Sequence, residues 1–253
     1  MHNCRIVKCF MKLLFTILLL LNTGLCFGQE FSYPINSKYP AINKEGKTVN
    51  DFVPKGWKLL KSTSNDLNND KKADFAFVIQ RKDSIMVIYK NGEYLDTVIT
   101  QPRMLLIAFT DPATSKLKLV EQNTSFILNH ENANQDDPLQ SIKINSKGVL
   151  QIDYHIFYST GTWYVTDTSY KFRYQSNEFV LIGADYRSFH RASGDYEEAS
   201  YNFLTKRWSM KKGTEKPGNK PVTEWKDLNL KQLKTLKTLR QPFKWQVTEG
   251  IYI

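Results

Sequence analysis

A mainly β protein, built as an antiparallel sandwich or a strongly bent open sheet with a short C-terminal helix, is the fold class this sequence predicts. Three observations carry it. Short apolar runs alternate with polar residues at a period of two. Glycine- and asparagine-containing turn signals separate those runs at the spacing of an all-β domain. Only one stretch, near the C-terminus, repeats its leucines in a way that suggests a helix.

Residues 1–28 read as an export signal and are set aside from the fold. Arg5, Lys8 and Lys12 form a basic start, residues 13–21 (LLFTILLLL) an apolar stretch, and Cys26 and Gly28 the small residues before a cut at Gln29. Met11 is an alternative start. The apolar stretch is well short of the roughly 20 residues a membrane span needs. Lipid attachment at Cys26 is disfavoured by Leu25 and Thr23 just before it. Cys4, Cys9 and Cys26 all fall in this segment, so the mature chain carries no disulfide framework and no thiol chemistry. A periplasmic or extracellular protein with an ordinary hydrophobic core is expected.

The β domain is expected over 29–208. Phe75, Phe77 and Ile79 alternate with Ala76 and Val78 as one strand, and residues 85–89 follow as another before the hairpin pair Asn91-Gly92. Further strands are expected at 104–109, 117–120, 142–144 and 149–158, the last two flanking Ser146-Lys147-Gly148. Residues 163–165, 170–174 and 179–182 complete the series. Tyr170, Phe172 and Tyr174 share one face, opposite Lys171 and Arg173. That aromatic stripe is a core face first and a sugar-stacking platform second.

Residues 209–253 are expected as a basic linker, a short helix and a terminal strand. Residues 29–205 hold 20 Lys/Arg against 21 Asp/Glu, a net of −1, whereas 206–253 hold 12 against 4, a net of +8. Such a segment fits either a solvated helix face or docking on an anionic envelope polymer. No nucleic-acid recognition module accompanies it. Residues 211–221 contain Gly213, Pro217, Gly218 and Pro221 and read as the linker. Leu230, Leu233, Leu236 and Leu239 suggest an amphipathic helix, and Phe243, Trp245 and Val247 a final strand.

The most specific motif precedes the first long strand. In Asp66-Leu67-Asn68-Asn69-Asp70-Lys71-Lys72-Ala73-Asp74, oxygen donors fall at loop positions 1, 3, 5, 7 and 9: Asp66, Asn68, Asp70, the Lys72 carbonyl and Asp74. Hard cations such as Ca²⁺ take oxygen ligands at this kind of spacing. Position 12 would be Phe77, so the arrangement is not an EF-hand. The loop resembles the short calcium loop of FG-GAP (integrin-type propeller) and VCBS repeats, in which such a run leads into a strand. That resemblance implies Ca²⁺ as a structural ion held by these five residues. Lys71 stands where those repeats carry glycine, and Lys71 and Lys72 place two positive charges beside the site. Two readings stay open, a cation site and an ion-free loop whose Asp and Asn side chains cap their own backbone. A single copy argues against a propeller, which needs at least four blades. The runs 170–174, 179–185 and 200–205 also resemble a pattern in uncharacterised exported bacterial proteins that carry a similar loop, a likeness that spans about residues 52–208 and implies no activity.

Catalytic patterns are sparse. His2, His130, His155 and His190 show no metal-ligand spacing, and no G-x-S-x-G elbow exists. His130 lies in a polar loop at 129–138, His155 in an apolar strand, and His190 in what reads as a long charged surface loop. The leading expectation is an exported non-catalytic binding or envelope-associated protein. The alternative is a secreted hydrolase of envelope or environmental polymers, working through His155 or His190 with a carboxylate.

Overall fold

The computed structural model describes residues 39–91, 94–218 and 220–253. The export signal expected over 1–28 and Gly92 of the expected hairpin turn lie outside them.

The chain is mainly β, with antiparallel sheets throughout. Strands β1 (Glu45–Gly46), β2 (Trp57–Asn65), β3 (Asp74–Arg81), β4 (Ile85–Asn91), β5 (Tyr94–Thr100), β6 (Arg103–Thr110) and β7 (Leu117–Asn123) make up the first half. Five of them form one sheet in the order β1-β7-β6-β3-β2, while β4 and β5 form a separate hairpin. The central strands β3 and β6 are covered on both faces, which is why they read as near-continuous apolar runs. Phe77, Ile79, Met104 and Leu106 pack against Ile42, Phe52 and Trp57 on one side. Ala76, Val78, Leu105 and Ile107 face the second sheet on the other.

That second sheet is a seven-stranded meander bent into a half-barrel. Its strands are β8 (Leu139–Ile144), β9 (Val149–Ile156), β10 (Tyr164–Gln175), β11 (Glu178–His190), β12 (Asp195–Asn202), β13 (Arg207–Thr214) and β14 (Val222–Asp227). Each pairs with the next, so every connection is a hairpin. Tyr170 and Phe172 are completely buried, so the aromatic stripe is core. Phe126 meets both edge-on at ring-centroid distances of 5.1 and 5.3 Å.

The basic C-terminal segment is organised differently from the expectation. Lys211, Lys212 and Gly213 continue β13, because Trp208 and Met210 keep an inward alternation going, and only the chain beyond Thr214 turns. The boundary expected at 208/209 therefore falls inside a strand. The leucine repeat yields one helical turn, α1 (Leu236–Leu239), not a helix from Leu230. Leucines every third residue drift around an α-helix by about 60° per step, so they define no single face. Instead, Lys234 accepts a backbone bond from Leu181 and Thr235 bridges to Val180 before the turn starts. The turn ends at Arg240, whose φ is +60°. Strand β15 (Gln246–Thr248) pairs with β16 (Ile251–Tyr252). Trp245 lies just outside β15 but exchanges both backbone bonds with Ile253. Leu236, Leu239, Ile251 and Ile253 are buried against the half-barrel and complete its core.

Candidate functional site

The acidic loop closes on itself. Asp66 accepts the backbone N–H of Asn69 at 2.7 Å and Asp70 at 3.2 Å on one oxygen, and that of Lys71 at 2.8 Å on the other. The Asn68 side-chain oxygen Oδ1 accepts Asp70 N–H, and the Asp70 carboxylate accepts Lys72 N–H. Lys71 has φ +67°, the left-handed conformation that its glycine position in the loop demands. Asp74 is buried and turned inward, each oxygen accepting one backbone N–H at 2.9 Å, from Leu67 and Thr110. Burial pushes its carboxyl above the ordinary 3.8 against those two bonds, and the charges of Asp70 and Asp66 push it further. The donors suit a hard cation, but here they serve the backbone. Among the described residues, no three His, Cys, Asp or Glu side chains form a group that could hold a metal.

The loop's place in the fold is a joint. Leu67 is buried in the core shared by the two sheets. Gly148, in the β8–β9 turn, approaches so closely that a Cβ would lie 2.8 Å from the Asp66 carbonyl oxygen.

A cleft of about 640 Å³ lies elsewhere, on the inner face of the half-barrel. Strand register builds it. Tyr170, Ala184, Tyr201 and Trp208 form one inward row across β10 to β13, all buried and apolar. Two rows further along the same strands come Thr166, Ser188, Glu197 and Lys212, followed by Tyr164 and His190. The concave face thus changes from core to polar surface within single strands. Thr168 sits at the transition, 2% exposed, its hydroxyl without a hydrogen-bond partner.

Tyr164, Ser188, His190, Asp195, Glu197 and Lys212 line this cleft. His190 Nδ1 accepts the Ser193 backbone N–H at 3.1 Å, which places the ring proton on Nε2. The ring meets Tyr164 edge-on at 4.8 Å. Glu197 pairs with Lys212 at 2.5 Å. The Ser193 hydroxyl holds the Asp195 carboxyl below its ordinary value, helped by Thr214, Lys216 and His190. His190 is therefore the last residue of β11, in a tight hairpin with β12, and not part of a long loop.

On the outer face, His155 stands opposite Asp167. Its Nδ1 lies 2.6 Å from the carboxylate, which can only accept, so Nδ1 carries a proton and, in the neutral ring, the lone pair is on Nε2. As neutral rings the two histidines thus hold opposite tautomers. Beside Asp167 the same lateral row continues with Arg187, Glu198 and Lys211, an alternating ladder of charges. His130 closes its own loop, with Nε2 at 2.6 Å from the Gln135 carbonyl. That loop is anchored by Asp137, bidentate on buried Arg103 at 2.7 Å.

Of the residues singled out in the sequence, only His190 enters the cleft. Tyr164, Ser188, Asp195, Glu197 and Lys212 join it, and the signal that could have found them is their shared register across successive hairpins. No helix among the described residues is long and apolar enough to cross a membrane. Comparison with protein-family models, with curated proteins and with solved structures gave no match.

Proposed function

We propose that this is an exported, envelope-associated binding protein that takes a neutral, hydroxyl-rich ligand, such as an oligosaccharide, in the polar end of the half-barrel. The reading rests on one observation: the inner face of β10 to β13 is apolar at one end and polar at the other, around a cleft of about 640 Å³. A concave surface with a few convergent polar groups is the usual form of a ligand site. Its charges favour a neutral guest, because Lys212 is already paired with Glu197. Hydroxyl groups would find donors in His190 Nε2–H and Tyr164, acceptors in Glu197 and Asp195, and an aromatic edge in Tyr164.

Isothermal titration of the purified protein with cellohexaose, chitohexaose and, as an anionic control, heparin tests this. A neutral oligosaccharide is expected to bind, and Tyr164→Ala or Glu197→Gln to weaken it by roughly tenfold or more with melting unchanged. Binding of heparin alone would replace this reading with docking of the basic segment on an anionic polymer. That alternative is weakened by the pairing of Lys211, Lys212, Lys226 and Lys237 with Glu198, Glu197, Glu224 and Glu121.

A hydrolase is the second reading, favoured by the His155–Asp167 pair. A carboxylate on Nδ1 and a free Nε2 is the orientation a general base requires. Cleavage of the same oligosaccharides, lost in His155→Gln, would establish it.

Calcium is proposed only as a stabilising ion of the loop at Asp66, Asn68, Asp70, the Lys72 carbonyl and Asp74. Support comes from the mutual repulsion of Asp66, Asp70 and Asp74, which a cation would relieve.

A further inference from the structure

The two edges of the seven-stranded sheet are treated differently. Edge strand β8 lies against β2, where Thr63 accepts Ile144 N–H at 3.3 Å and Asn65 donates to the Ile144 carbonyl at 3.5 Å. Edge strand β14 has no strand beyond it among the described residues, and all six of its residues are exposed. Its pairing with β13 runs without a bulge from Val222 to Asp227, and no proline interrupts it. Proteins normally blunt an edge of this length with a bulge, a proline or a cover. Trp225 is 64% exposed and Val222 66%. An open, regular, partly apolar edge is a template for another strand.

The sequence of the strand, Val-Thr-Glu-Trp-Lys-Asp, says which strand fits. Two copies related by a twofold axis perpendicular to the sheet must pair antiparallel, with one residue opposite its own counterpart. Centring on Glu224 opposes glutamate with glutamate, and centring on Lys226 opposes lysine with lysine. Both place like charges face to face, which destabilises a cross-strand pair. Centring on Trp225 does the reverse: tryptophan meets tryptophan, and Glu224 of each copy meets Lys226 of the other. Glu224 and Lys226 already share one face, 2.8 Å apart, so the two copies would build a four-charge alternating cluster. Trp225 is on the opposite face with Arg207 over its ring at 5.4 Å.

We propose that β14 pairs with β14 of a second copy about a twofold axis at Trp225, joining two half-barrel sheets into one continuous sheet. The charge pattern, which allows this register and opposes its two neighbours, carries the assignment. A six-residue edge is a small interface, so the dimer belongs in the micromolar range of affinity.

Sedimentation velocity of the purified protein over roughly 1 to 100 μM tests it. The expected result is a concentration-dependent species of twice the monomer mass. Glu224→Lys and Lys226→Glu should each weaken the dimer by roughly tenfold, with circular dichroism and melting unchanged. The double exchange Glu224→Lys/Lys226→Glu restores the opposite-charge pairs and should return the affinity to the wild-type value. A monomer at every concentration overturns the proposal. So does a dimer indifferent to the single changes, or one that the double exchange fails to restore.

Discussion

The two large sheets solve the same problem to different extents. In the first, β3 and β6 are sealed on both faces, by the segment 39–53 on one side and the half-barrel on the other. In the second, β10 and β11 run 12 and 13 residues, and the C-terminal segment fills only part of the concave face above them. Beyond that filling, the inward positions turn from Tyr170 and Ala184 to Ser188 and His190. The difference teaches where to look for function: a sheet sealed on both faces spends its side chains on packing, while one that outruns its core has surface left over for a ligand.

The largest expected effect tests that division within one sheet. Phe172 is completely buried and edge-on to Phe126. Phe172→Ala should cost about 3–5 kcal/mol in urea unfolding. Ser188→Ala, one strand over at the polar end, should change stability by less than about 0.5 kcal/mol. A comparable cost at Ser188 would mean that the polar end is packed like the core, and the comparison between the two ends would fail.

The same contrast explains what the sequence revealed. Where a strand has one dry face, as at Phe75 to Ile79 or Tyr170 to Tyr174, the period of two is plain and marks the strand. Around residues 187–198 both faces are wet: Ser188, His190 and Glu197 line the cleft, while Arg187 and Glu198 face outward. With no apolar alternation, two paired strands read as a charged loop, and the candidate site was hidden in it. Lys211 and Lys212 read as linker in the sequence for the same reason, although they continue β13. The resemblance marks Lys71 as a glycine position, and its φ of +67° is the left-handed conformation that such a position takes. That the acidic loop's oxygens would turn to backbone N–H groups, and that the loop would join the two sheets through Gly148, depended on contacts distant in sequence.

A second, smaller effect separates the carboxylates of Asp137 and Asp74 by pH. Burial pushes Asp137 up, but the Arg103 guanidinium outweighs it and holds the carboxyl below 3.8. A depressed folded pKa means its stabilisation is present above that value and lost as pH falls through the folded one. Asp74 is raised, so its contribution runs oppositely: present below 3.8 and lost as pH rises through the folded value. Asp137→Asn should cost about 2–3 kcal/mol near neutrality, because it leaves Arg103, 3% exposed, without its counter-charge. The figure is below that for a fully buried pair since Asp137 is 43% exposed. Urea unfolding between about pH 3 and 6 should show the wild type losing its advantage over Asp137→Asn as pH falls. Over the same range it should gain on Asp74→Asn. Parallel trends for the two variants would contradict the opposite shifts.

The smallest effect concerns the joint between the sheets. Lys71 adopts φ +67° at a cost of about 1 kcal/mol relative to glycine, which enters that region freely. Lys71→Gly should therefore stabilise the protein, by somewhat less than that cost because glycine also loosens the unfolded chain. It also removes one positive charge from beside Asp66 and Asp70. If calcium is a ligand of this loop, the variant should bind it more tightly, and millimolar calcium should raise melting more in Lys71→Gly than in the wild type. Asp70→Ala should abolish both responses. Equal melting in calcium and in chelator for both proteins would remove the ion from the loop while leaving the backbone gain intact. The two contributions are separable because only one depends on the metal.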